Sequence, residues 1–237
     1  MGKTFSMQST TEKEQDLLYE LGRILAHDLN NPISAISSAA YLIDDFSSTA
    51  EDGKLEVELI KPFIGSIREE CLKLKYVVEE YSKFVTTRSS LPSALDLKSF
   101  IEARRRELEG EGLVLELDID VNSQVSVDAG QFQTMFQTLA EAAKLAGAST
   151  LKISGRESAD QIELVFEDNR PTENCEDPNE AFEPISTKRR KGLGLKLPTV
   201  KRIIDLHHGS VAAGLKDGLG CSISISLPKA ASASNAS

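Results

Sequence analysis

Two apolar stripes at helical spacing constrain this chain more than any other feature of it. Leu18, Leu21, Leu25, Leu29, Ile36 and Ile43 recur at steps of three, four and seven. Ile60, Ile64, Ile67, Cys71, Leu74, Val78, Tyr81 and Val85 do the same at steps of three and four. Residues at that spacing share one face of an α-helix, so the runs predict two long amphipathic helices, over 12–48 and 56–85. Thr10 and Thr11 are candidate caps for the first, with Glu12 and Glu14 in its opening turn. Pro32 is expected to kink that helix or open it locally. The small polar stretch 47–53 predicts a loop. Two long helices with a short connection form an antiparallel hairpin, and one hairpin cannot bury both stripes. Two copies pairing as a four-helix bundle bury them, which predicts a homodimer.

The pattern changes near residue 90. Residues 86–95 (Thr-Thr-Arg-Ser-Ser-Leu-Pro-Ser-Ala-Leu) have the composition of a linker. Beyond them 97–109, 131–146 and 193–207 read as helices. Residues 113–121 alternate strictly, as a half-buried strand does. Further strands are predicted over 150–154, 162–167, 210–213 and 221–227. Helices mixed with strands in this way predict an α/β sandwich, with helices on one face of a mixed sheet. The expected organisation is therefore α followed by α/β. A flexible N-terminus covers 1–11 and the helical dimerisation domain 12–88. A linker covers 89–95, the α/β domain 96–228, and a disordered Ala/Ser-rich tail 229–237.

Composition excludes several classes. The formal net charge is -10, which opposes phosphate-backbone contact, and with aromatics at 5% and no Trp there is no stacking platform for single strands. No nucleic acid partner is expected. Cys71, Cys175 and Cys221 are sparse and odd in number, which suits reduced thiols, and no pair has metal-ligand spacing. No apolar run reaches the ~18 residues that span a bilayer, and the polar first residues lack a signal-peptide core. The reading is a cytoplasmic protein with no metal of its own.

The chemistry concentrates at two places. Around an α-helix, at ~100° per residue, His27 lies ~200° from Leu25, opposite the apolar stripe, and Asn31 returns to within ~40° of His27. Asp28 sits beside them. A lone histidine there is most simply a solvated side chain. An imidazole with an adjacent carboxylate to orient it and accept its proton is also the usual form of an activated nucleophile. An amide one turn away can position a water or a phosphoryl oxygen. The second place is 168–194 and beyond. Residues 188–202 carry seven basic side chains and no acid, and Gly192 and Gly194 precede a predicted helix. Glycines at a helix N-terminus let backbone N–H groups approach phosphates.

The string Ala26-His27-Asp28-Leu29-Asn30-Asn31-Pro32-Ile33 resembles the phospho-acceptor box of two-component sensor histidine kinases. In the second half, Phe182-Glu183-Pro184-Ile185-Ser186-Thr187-Lys188 resembles that family's ATP lid. Gly192-Leu193-Gly194-Leu195 resembles a glycine box, and Gly218-Leu219-Gly220 the last one. The resemblance runs over roughly 12–228. It implies that His27, Asp28 and Asn31 carry phosphoryl chemistry, and that Asp168, Lys188, Gly192, Gly194, Gly218 and Gly220 form the nucleotide site.

Departures from the family pattern are as informative. The position of the Mg²⁺-binding asparagine falls at Ala142, and Thr138 replaces another asparagine one turn earlier. Glu141 is the neighbouring carboxylate. The first glycine box reads Asp168-Asn169-Arg170, so the adenine-recognising aspartate stays while a glycine becomes arginine. Read as a surface side chain, Arg170 is inert; otherwise it crowds the nucleotide or pairs with phosphate. An intact acceptor beside a damaged ATP engine implies a histidine phosphotransferase that exchanges phosphoryl groups with a response-regulator receiver domain. ATP is then bound weakly, Mg²⁺ poorly, and an upstream sensor protein supplies the signal. The alternatives are an autokinase that labels His27 from ATP and a pseudokinase scaffold. His207 and His208, before Gly209, read as the end of a helix.

Overall fold

The computed structural model describes the backbone of residues 4–49, 57–110, 112–171, 180–184, 194–215 and 220–230, with side chains from Leu18 onward. The chain divides into two compact units: residues 1–83 with 187–195, and 84–186 with 196–237.

The first unit is helical, built from α1 (Thr4–Thr49) and most of α2 (Val57–Thr86). Aromatic contact between Phe46 and Phe63, with ring centroids 5.8 Å apart, joins the end of α1 to the beginning of α2. Two expectations need correction. The N-terminus read as flexible over 1–11 is helical from Thr4, because extending an existing helix costs far less than nucleating one. The loop read over 47–53 does not start before Thr49; residues 50–53 lie outside the described residues. Ser47 and Ser48 donate their hydroxyls to the carbonyls of Ile43 and Asp45, at 2.7 and 2.8 Å, so these side chains bond to the helix rather than divert it. α1 also runs unbroken through Pro32, which lacks the N–H that would pair with the Asp28 carbonyl.

The second unit contains β1 (Ser93–Leu95), α3 (Leu97–Gly110), β2 (Val114–Ile119), β3 (Val125–Val127), α4 (Ala129–Leu145), β4 (Thr150–Glu157), β5 (Gln161–Asp168), α5 (Lys196–Leu206), β6 (Ser210–Leu215) and β7 (Cys221–Pro228). A five-stranded sheet runs β2-β4-β5-β7-β6, parallel between β2 and β4 and antiparallel elsewhere. Alternate residues bury one face: Leu151 and Ile153, then Ile162, Leu164 and Phe166, then Ile223, Ile225 and Leu227. α3, α4 and α5 share the core with that face. Phe100, Phe132, Phe136 and Phe166 link two helices to the sheet edge to face, at centroid distances of 5.0 to 6.2 Å. Four of the nine phenylalanines are spent here. The α and α/β organisation is as expected.

The segment read as a linker over 89–95 is not one throughout. Ser93–Leu95 pairs antiparallel with Val125–Val127 in a separate two-stranded sheet. Three residues are too few for alternation to register in a sequence. The tail read as disordered from 229 is held through Ala230: Lys229 N donates to Asp160 O and Ala230 N to Gln124 O. Residues 231–237 lie outside the described residues.

Candidate functional site

His27 projects from α1 with its side chain 71% exposed, and Asp28 beside it is 26% exposed. His27 Nδ1 lies 3.0 Å from Asp28 Oδ1. A carboxylate can only accept, so this bond places the proton on Nδ1 and leaves the Nε2 lone pair as the ring's free nucleophile. Asn31, one turn on, is exposed as well. The three residues named for phosphoryl chemistry thus share the solvent-facing side of one helix.

At the other predicted site, Asp168 ends β5 and Arg170 follows two residues later. Both are buried, each 8% exposed. Arg170 Nε donates to Oδ1 and Oδ2 of Asp168, each at 2.9 Å, and Nη2 donates to Oδ2. The Arg170 and Cys221 backbone N–H groups donate to Oδ1 at 3.1 and 3.4 Å. The carboxylate expected to read adenine is therefore filled from within its own chain. This corrects the reading of Arg170 as a surface cation, since the side chain is buried against Asp168.

The metal end is closed in a similar way. Ala142 offers only a methyl group. Thr138 is buried and donates its hydroxyl to Thr134 O at 2.7 Å. Glu141 accepts from Lys196 Nζ at 2.7 Å. Among the described residues no group of three His, Cys, Asp or Glu side chains is placed to hold a metal ion. The described part of the basic cluster is likewise engaged by protein. Lys201 pairs with Asp205 at 3.1 Å, and Arg202 donates to Thr87 O at 2.9 Å and stands over the Phe84 ring. Lys188, Gly192 and Gly218 lie outside the described residues.

Gly194 and Gly220 have φ of +61° and +101°, which favour glycine. A Cβ on Gly220 would overlap the Asp168 carbonyl oxygen. Gly220→Ala should therefore cost about 2–4 kcal/mol from left-handed strain and backbone collision together. That corresponds to a fall in Tm of roughly 5–15 °C. Thermal unfolding followed by circular dichroism checks this; a change within about 1 °C would show that β7 shifts away freely.

His207 is a structural histidine. Its Nδ1–H donates to Ile203 O and its Nε2 accepts from Asp128 N, both at 2.8 Å, tying the end of α5 to the start of α4. Asp128 caps α4 through Gln131 N at 2.8 Å, and that bond holds its carboxyl below the usual carboxylate range. His208 takes the left-handed conformation after α5, with φ +57°.

Residues 127–231 match the family model of the histidine kinase-, DNA gyrase B- and HSP90-like ATPase. Over 227 residues the chain is 23% identical to the C4-dicarboxylate transport sensor protein DctS of Rhodobacter capsulatus, covering 89% of this chain and 33% of that protein. The structure is similar to histidine kinase AdeS of Acinetobacter baumannii, with TM-score 0.61 and 22% identity over 85% of this chain and 97% of that one. It is also similar to histidine kinase ThkA in its complex with response regulator protein TrrA. There the TM-score is 0.68 and the identity 18%, over 95% of this chain and 66% of that one. Residues 127–231 carry a domain of that ATPase family, and the chain as a whole resembles a two-component histidine kinase core. The chain joins a helical region to an ATP-binding-type domain. It spans about a quarter to a half of the length of the curated relatives it matches. Among its described residues no helix is long and apolar enough to cross a membrane.

Proposed function

We propose that this chain works as a histidine phosphotransferase, exchanging a phosphoryl group between His27 and the aspartate of a response-regulator receiver domain. The observation that carries the reading is the buried Asp168–Arg170 pair, set in a chain whose His27–Asp28–Asn31 face is intact. A nucleotide that used Asp168 would first have to strip it of Arg170. Ala142 would give Mg²⁺ no oxygen, and Mg²⁺ requires oxygen ligands in near-octahedral array. ATP binding is accordingly weak, and no phosphoryl step is routed through it.

In the forward step Nε2 of His27 attacks the phosphorus of the receiver's aspartyl phosphate. The P–O bond breaks with its electron pair going to the leaving carboxylate. Positive charge rises on the ring, and the Nδ1 proton passes along its hydrogen bond to Asp28 and on to water. Asn31 positions a water near phosphorus when the receiver is hydrolysed instead. The solved complex of ThkA with a response regulator supports a receiver as partner. The retained φ +61° of Gly194 and the ATPase family match favour a second reading, autophosphorylation of His27 from ATP. Incubation with a phosphorylated receiver, and separately with labelled ATP and Mg²⁺, separates them. Label reaching His27 from ATP alone overturns the phosphotransferase reading.

The working unit is a homodimer. Leu18, Ile64 and Val78 of the two stripes stay 59%, 49% and 52% exposed in a single chain, and a second hairpin would cover them. Light scattering at micromolar concentration should give twice the 25.8 kDa chain mass; a monomer mass refutes the dimer. The location is cytoplasmic, and an upstream sensor supplies the input.

A further inference from the structure

One cation stands on the phospho-acceptor face without a role in that reading. Arg23 precedes His27 by four residues, so the two share a face with Cβ atoms about 5–6 Å apart. Side chains on a helix lean toward its N-terminus, so the imidazole of His27 lies over the turn that carries Arg23. The Arg23 side chain is 64% exposed and its Nε and Nη2 both donate to Glu20 Oε2, at 3.1 and 2.9 Å. Glu20 is itself 40% exposed. A surface pair of this kind is worth about 0–1 kcal/mol, so it holds Arg23 close at hand but weakly.

Resting on the phosphotransferase reading, we infer that Arg23 is a phosphoryl-binding residue. It leaves Glu20 and clamps the oxygens of the group in transit to or from Nε2. A phosphoryl group brings up to two negative charges and three acceptor oxygens to a position one turn from the guanidinium. A planar guanidinium presents two parallel N–H donors that match them. A carboxylate that keeps one oxygen on Arg23 is outcompeted by that dianion. Nδ1 is meanwhile held by Asp28, so the nitrogen bonded to the carboxylate is not the one that takes the phosphoryl group.

The test uses the whole chain and a partner-free donor, phosphoramidate. His27 Nε2 attacks the phosphorus of the N-protonated donor, the P–N bond breaks, and its electron pair leaves with ammonia. His27 labelling should be about five- to tenfold slower in Arg23→Ala and equally slow in the neutral Arg23→Gln. In Arg23→Lys much of the rate should return, because the role needs charge and not shape alone. Parent rates in Arg23→Ala overturn the inference, and so does a slow Arg23→Lys equal to Arg23→Gln, which would mark a structural effect. A parent that takes no phosphoryl on His27 sinks the phosphotransferase reading itself, a result distinct from either.

Discussion

Replacing His27 by alanine is expected to remove phosphoryl acceptance altogether, by about 10³-fold or more, because the variant lacks the only nucleophile of the site. The two other histidines cannot substitute for it. His207 spends both ring nitrogens inside the α/β unit, on Ile203 O and Asp128 N. His208 lies at the turn ending α5, with no carboxylate–amide arrangement of its own in the sequence. The measurement is acid-labile, alkali-stable phosphate after incubation with a phosphorylated receiver. Label that persists in His27→Ala would move the acceptor elsewhere. In the same assay Asn31→Ala should slow hydrolysis of the receiver's phosphate more than transfer from it. Transfer needs the imidazole, whereas hydrolysis needs a water held near phosphorus. Equal losses would mean that Asn31 acts on docking or helix structure alone.

Opening the closed nucleotide site should have an effect nearly as large. Nucleotide reaches Asp168 in the parent only by separating a buried ion pair, and removing one partner of such a pair typically costs about 3–5 kcal/mol. That is a penalty of roughly 10²–10⁴-fold on affinity. In the Arg170→Gly, Ala142→Asn double variant the penalty is gone and an oxygen ligand for Mg²⁺ is restored. Without ligand the variant should be the less stable protein, since Asp168 stays buried and loses its guanidinium partner. With Mg²⁺–ATP its Tm should rise and its calorimetric affinity exceed the parent's by at least tenfold, the gain in stability following ligand concentration over Kd. A parent that binds ATP at micromolar affinity and labels His27 with it would show that Arg170 leaves Asp168 readily, and the closed-site account would fail.

Much of this protein was legible in its sequence, for reasons that are local. Helical spacing puts Leu21, Leu25 and Leu29 on one face whatever surrounds them, and the same geometry turns His27, Arg23 and Asn31 outward together. Strict alternation marks β2 and β7 because a pleated strand has no other way to bury one side. That Ala142 offers no oxygen to a metal also needs only the residue's chemistry. The short strands β1 and β3 were not legible, since three residues carry no periodic signal and their pairing partners lie far along the chain.

Side-chain commitments were decided by tertiary structure alone. Lys196 pairs with Glu141 across 55 residues of chain and Arg202 with the Thr87 carbonyl across 115, so a run that reads as a phosphate-attracting patch is partly consumed by the fold. Gly220 reads as a glycine-box residue, and only packing shows that the space for its missing Cβ is filled by the Asp168 carbonyl. Arg170 lies between the two cases. Its spacing from Asp168 is written in the sequence, but its burial is not, and burial is what turns a weak surface contact into an ion pair that is costly to break.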